Sequence, residues 1–189
     1  MNRVIAKLWW LVIGFSLLPI SALAANWQLV PDQSSITFTA TQNNAPIIGK
    51  FTRFSGDINF DPKQLNTSHA KITVDMNSVS ASYEVVADTL KTPDWFDVKQ
   101  FPQAIFEANN FSKTADNQYQ ANGTLTLRDK TLPVTLTFSQ ENTSDTQYKI
   151  KGSTSIQRTN FGVGRGEWSK TNEVKDQVQI NFIVTMIKK

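Results

Sequence analysis

QYQANGTLTLRDKTLPVTLTFS, residues 118–139, decides the fold. Its first half sets Tyr119, Ala121, Gly123, Leu125 and Leu127 against Gln118, Gln120, Asn122, Thr124 and Thr126. Its second half sets Leu132, Val134, Leu136 and Phe138 against Thr131, Thr135, Thr137 and Ser139. Successive side chains of a strand point to opposite faces, so strict alternation means one face in a core and one in water. Asp129 and Lys130 separate the halves closely enough for a tight hairpin.

The same period extends outward in both directions. Ala70, Ile72, Val74 and Met76 alternate with His69, Lys71, Thr73 and Asp75. Tyr148, Ile150 and Ile156 share a parity opposite Lys149, Lys151, Ser153 and Ser155. Val178, Ile180, Phe182, Val184 and Met186 alternate with Gln177, Gln179, Asn181 and Thr185. With residues 34–40, 47–60 and 103–112 this makes about eight strands, joined by short turns such as 142–145. Sequential hairpins imply an up-and-down meander, and closing it removes the exposed edges. The expected fold is all-β: one eight-stranded antiparallel barrel. Residues 79–102 break the period. Tyr83, Val86, Ala87 and Leu90 have helical spacing, Ser80 or Ser82 is placed to cap, and Thr92-Pro93 ends the run. The segment reads as a short helical crossover or lid over one barrel end.

Of the 189 residues, the first 24 read as a cleavable signal peptide. Arg3 and Lys7 precede an apolar run over 8–20, and Ala22-Leu23-Ala24 supplies the small residues of a cleavage site. Residues 25–189 are then a single domain exported to the periplasm. There is no cysteine, which excludes disulfides, thiolate metal sites and a lipoprotein anchor. Without Arg3 and Lys7, 17 basic side chains face 16 acidic ones. They are scattered along the chain, so no nucleic-acid partner is expected.

The inward set is Ile36, Phe38, Ile58, Phe60, Ile72, Val74, Met76, Phe106, Leu125, Leu127, Leu132, Val134, Leu136, Phe138, Ile150, Ile156, Ile180, Phe182 and Val184. Eight strands enclose a space that side chains can just fill or that holds one ligand. Two readings stay open: a filled barrel, or a bore whose ligand is a hydrocarbon chain. At ~0.8 kcal/mol per methylene, a chain of roughly 15 carbons gains on the order of 10 kcal/mol gross. Ala40, Ala70, Ala108, Ala121, Gly123 and Gly152 on the inner face leave room or permit strand curvature.

Five segments in order carry a resemblance. They are residues 27–38 (WQLVPDQSSITF), 49–56 (GKFTRFSG), 90–106, 123–134 (GTLTLRDKTLPV) and 158–162 (RTNFG). In these the chain resembles the YceI family of polyisoprenoid-binding, lipocalin-like exported proteins. The resemblance implies a long internal tunnel holding a polyprenyl lipid or isoprenoid quinone, no other cofactor, no catalysis, and pairing as a homodimer. Arg128-Asp129-Lys130 departs from the family's uncharged, glycine-containing turn, a change expected to alter the hairpin surface only.

Four residues are candidates for a tunnel mouth. Arg158 continues the parity of Ile156, so it either binds a lipid head group or pairs with Asp88, Asp94 or Asp97. Trp95 and Phe96 either stopper the tunnel or plug a barrel end. Trp168 ends the glycine-rich stretch 161–168, which fits no nucleotide loop and reads as a flap or an ordinary hairpin. His69 lies on a polar face, and Ser34 and Ser35 have no histidine to activate them. Asp94 and Asp97 suit a turn better than an acid–base pair. Three functions follow: a lipid carrier, a quinone-binding accessory of a membrane redox partner, or a filled barrel acting as an interaction module.

Overall fold

The computed structural model describes residues 27–144 and 146–188, with the side chains of 142 and 143 excepted. The signal-peptide segment therefore lies outside the described residues. Eleven strands form one antiparallel sheet: β1 (Trp27–Leu29), β2 (Ser35–Gln42), β3 (Ala45–Phe51), β4 (Phe54–Asn59), β5 (His69–Asp75), β6 (Val79–Ala81), β7 (Gln103–Ala115), β8 (Gln118–Leu127), β9 (Lys130–Ser144), β10 (Gln147–Gln157) and β11 (Gln177–Lys188). Among the described residues one α-helix, α1 (Glu84–Lys91), lies between β6 and β7.

The eleven strands are eight runs, three of them kinked. β1 and β2 both pair with β11, at Lys188–Met186 and at Gln179–Ile183, on either side of a turn at Pro31–Gln33. β3 and β4 are separated only by Thr52 and Arg53, and β5 and β6 only by Met76–Ser78. β4 pairs with β5 and β3 with β6. Because β3 also pairs with β2, and β5 with β7, these two bent runs close the sheet into a barrel. Alternation alone reads 47–60 as one strand and carries the strand of Ile72 and Val74 on to Met76; the kinks at Thr52–Arg53 and Met76–Ser78 leave no mark in it.

Breaks in register re-aim side chains. Two residues separate Phe51 from Phe54, so the inward parity changes from odd to even across that kink. β7 shifts register between Ala108 and Asn110, after which Phe111, opposite Ala121, points inward. β9 continues through Ser144, past the expected start of a turn at 142. Val79–Ala81 is strand rather than helix, and Tyr83 is the N-cap of α1 with no side-chain capping bond, so neither Ser80 nor Ser82 caps it. α1 buries Ala87 and Leu90, and Leu90 packs into the cluster at the barrel end.

Two inner glycines seat phenyl rings. Gly49 faces Phe38 and Gly152 faces Phe182 across their ladders. A Cβ at Gly49 would stand 2.2 Å from Phe38 Cζ. One at Gly152 would stand 2.3 Å from Phe182 Cζ and 2.6 Å from the Thr137 carbonyl oxygen. The rings lie over the wall instead of projecting across the bore. Gly152→Ala should therefore destabilise the barrel by about 1–3 kcal/mol, read as a lower urea midpoint at unchanged slope.

Candidate functional site: an apolar bore closed at both ends

The interior is packed as two clusters. One, at the lid end, centres on Phe38, Met76, Trp95, Phe96, Phe161 and Val174. The other, at the far end, centres on Phe60, Phe106, Tyr119, Phe138, Val184 and Met186. A cavity of about 230 Å³ runs between and along them, lined by members of both. Leu125 and Val134 pack against both clusters. The barrel is not solidly filled.

All the side chains of the large inward set line it, except Leu132; of the inner-face alanines, Ala40, Ala70 and Ala121 line it and Ala108 does not. Leu132 packs against the lid-end cluster and opens onto a separate cleft between β9 and β10. The cause is local: β9 and β10 stop pairing at Thr137 and Ser153, so the wall is parted where Leu132 sits. The structure adds Phe51, Phe54, Phe111, Leu90, Val163 and Val174 to the lining. The first three lie beside the register breaks, which alternation alone does not register.

Arg158 reaches the bore wall but has no donor to offer a ligand. It is 2% exposed. Its Nη1 donates to the carbonyls of Val163 (2.9 Å) and Gly164 (3.3 Å), and its Nε to Lys175 (3.2 Å). Its Nη2 donates to Trp168 (2.9 Å), Lys170 (3.2 Å) and Val174 (2.9 Å). No carboxylate of Asp88, Asp94 or Asp97 is among its hydrogen-bond partners; the loop backbone takes all of its donors. Burial pulls its pKa below the ordinary value, partly offset by Asp176. Gly164, at φ +79°, has no room for a side chain, since a Cβ there would lie 2.1 Å from Arg158 Nη1.

The glycine-rich loop is therefore a fixed cap. Its Gly164 and Arg165 amides both donate to the Asp94 carbonyl, at 2.8 and 2.7 Å. Trp168 does not reach the bore. It packs on Trp95 with ring centroids 5.5 Å apart, so it backs the plug. Trp95 and Phe96 do line the bore and close its end, each under a tenth exposed.

Arg128 was expected on the hairpin surface and is buried there instead, its side chain 1% exposed. Its φ of 57° turns it under the lid. It donates to the carbonyls of Pro93 (2.8 Å) and Trp95, lies 3.9 Å from Asp97 and sits over the Phe101 ring. Burial and the Arg165 charge lower its pKa. Two buried donors at this end, Trp95 Nε1 and Arg128 Nε, have no hydrogen-bond partner. The far end is closed by Phe60, Tyr119 and Phe138, with ring centroids 5.0–5.6 Å apart.

Of the residues weighed for catalysis, His69 and Ser34 have other partners. His69 faces Asp57 at the surface, 3.7 Å away. Ser34 Oγ donates to the Val30 carbonyl and accepts from the Thr185 amide. Among the described residues no three His, Cys, Asp or Glu side chains are grouped to hold a metal.

A closed antiparallel barrel around an apolar bore, with a helical lid, defines a lipocalin-like β-barrel domain. The YceI-like domain matches residues 27–186, and the chain belongs to the YceI family. A UPF0312 protein of Shewanella baltica strain OS185 is 28% identical over 129 residues, 66% of this chain and 68% of its own. Protein YceI of Salmonella arizonae is 32% identical over 90 residues, 48% of this chain and 47% of its own. Among solved structures, BcnA of Burkholderia cenocepacia superposes with a TM-score of 0.80 at 31% identity, covering 83% of this chain and 98% of that one. A polyisoprenoid-binding domain from Saccharophagus degradans, implicated in plant cell wall breakdown, shares the fold. Its TM-score is 0.71 at 14% identity, over 87% of this chain and 99% of that one.

Arg158→Met leaves six carbonyls short of a donor and should lower stability by about 3 kcal/mol or more in urea unfolding. Arg128→Met should act locally, raising amide hydrogen exchange at Phe96, Asp97 and Val98 roughly tenfold or more before the strands respond.

Proposed function

We propose that this protein is a non-enzymatic carrier that holds one long-chain, isoprenoid-type lipid along the barrel axis. The observation that carries the reading is the apolar bore lined by both core clusters. An apolar void forfeits van der Waals contacts on every side, and a hydrocarbon chain restores them while leaving water. The wall also dictates the class of occupant. A polar group sunk there without a partner costs a few kcal/mol, and Arg158, the one charged residue on the wall, is committed to its loop. Membership of the YceI family, and the polyisoprenoid-binding domain among its structural neighbours, favour an isoprenoid over a simple fatty chain. The leader pattern in residues 1–24 supports export to the periplasm as the place where the carrier works.

Organic extraction of purified protein followed by mass spectrometry should yield a long-chain species in near-stoichiometric amount. Leu136→Arg, which buries an unpaired charge in the bore, should abolish uptake and cost several kcal/mol of stability. Lys71→Glu should leave uptake intact. Lys71 pairs with Glu107 at 2.7 Å on the outer face, both side chains being about half exposed, and such a pair contributes ~0–1 kcal/mol. A protein that yields no lipid and takes none up, or a Leu136→Arg variant that binds normally, overturns the assignment.

A further inference from the structure

Both ends of the bore are filled by buried rings, which leaves the question of how a chain enters. The wall itself is parted at one place. β8 pairs with β9 down to Leu127 and Lys130, and β10 pairs with β11 to Gln157 and Gln177. Between β9 and β10, however, the ladder stops at Thr137 and Ser153. Two residues further along each strand, Thr135 would face Ser155, and beyond that Pro133 would face Gln157. A side chain takes over here: Thr154 Oγ1 donates to the Thr135 carbonyl at 2.9 Å. The Thr135 carbonyl thus faces β10. Backbone groups two residues apart point the same way, so the position of Pro133 also faces the seam, where proline has no N–H to give. The sequence itself keeps the two strands apart.

The parted strands form a cleft of about 840 Å³. It is lined by residues of both parities, outward Thr135 and Ser155 together with inward Val134 and Ile156. An intact sheet shows one parity to each side, so this cleft cuts into the wall. Val134, Thr154 and Ile156 line the cleft and the bore alike. Beside the apolar Leu132, Pro133 and Phe161, the remainder of the cleft offers hydroxyl and amide groups, and no charged residue lines it.

We propose that this seam is the entry and head-group seat of the lipid. The chain passes side-on between Val134 and Ile156 into the bore. An uncharged head bearing hydrogen-bonding oxygen or nitrogen, such as a hydroxyl, carbonyl or amide, rests among Thr135, Ser155 and Gln157. A phosphate or diphosphate head finds no counter-charge there. This inference rests on the carrier reading above and deepens it.

Two probes with one tail separate the cases: geranylgeraniol and geranylgeranyl diphosphate, titrated into the full chain after lipid extraction and followed by tryptophan fluorescence. The alcohol should bind at least about tenfold more tightly. Gln157→Arg brings a guanidinium to the rim of the cleft. Gln157 is exposed and bonded only to Asn160, at 3.2 Å, so the fold should be unaffected. That variant should tighten the diphosphate about tenfold relative to the alcohol, the worth of one charge-assisted contact. If both probes bind but the diphosphate equals the alcohol, or if Gln157→Arg leaves their ratio unchanged, the seam is not the head-group seat and the carrier reading stands. If neither probe binds, both fall.

Discussion

The structure depends on keeping a backbone ladder closed around an apolar void. A bore that admits hydrocarbon gives its wall no water to satisfy stray N–H and C=O groups, so each break in the ladder needs a substitute. Hydroxyls supply it. At the β1–β2 kink, Ser34 Oγ bridges the Val30 carbonyl and the Thr185 amide. Where β3 bends into β4 beside the β5–β6 turn, Ser78 Oγ accepts from the Arg53 amide at 3.0 Å and donates to the Asp75 carbonyl at 2.6 Å. At the β9–β10 seam it is Thr154. The kinks shape eight runs into a barrel with a hollow axis, and three small polar side chains keep that shape bonded.

The hollow has an energetic consequence. Two clusters flanking a cavity pack less well than one continuous core, because the lining loses contacts in proportion to the space left. The glycines opposite Phe38 and Phe182 increase that space by letting the rings lie over the wall. Sequence and packing thus agree that the interior is arranged to stay open. Whatever fills it stabilises the folded state by mass action, so occupancy and stability are coupled.

Alternation made the wall legible, because one face in a core and one in water is a property of each strand alone. The inward set was therefore readable down to Val184. Leu132 was not, because its placement depends on where two strands cease to pair, and that is set jointly by Pro133 and Thr154. Phe51, Phe54 and Phe111 were hidden by parity changes at a kink and a bulge, which leave no compositional mark. Arg158 was legible as inward but not as to partner, since backbone carbonyls look the same in every sequence. Arg128 was the least legible: a charged residue in a hairpin turn suggests a solvated tip, and only the lid folded over it explains its burial.

Where such a wall can open follows from what holds each part. The lid end is tied by Arg158 to six carbonyls, by Arg128 to two more, and by the Asp94 carbonyl to two loop amides. Bonds to a charged donor contribute about 1.5–3 kcal/mol each. Even with two unpartnered donors offsetting ~1–3 kcal/mol apiece, moving that plug disrupts several such bonds at once. The seam is spanned at Thr135 by one neutral hydroxyl bond of about 0.5–1.5 kcal/mol, between strands that each keep an outer neighbour. Parting it further leaves both outer ladders intact. Compared on that scale, the side of the barrel yields before its lid, and Arg158, the head-group candidate of the sequence, acts with Arg128 to keep the lid end shut.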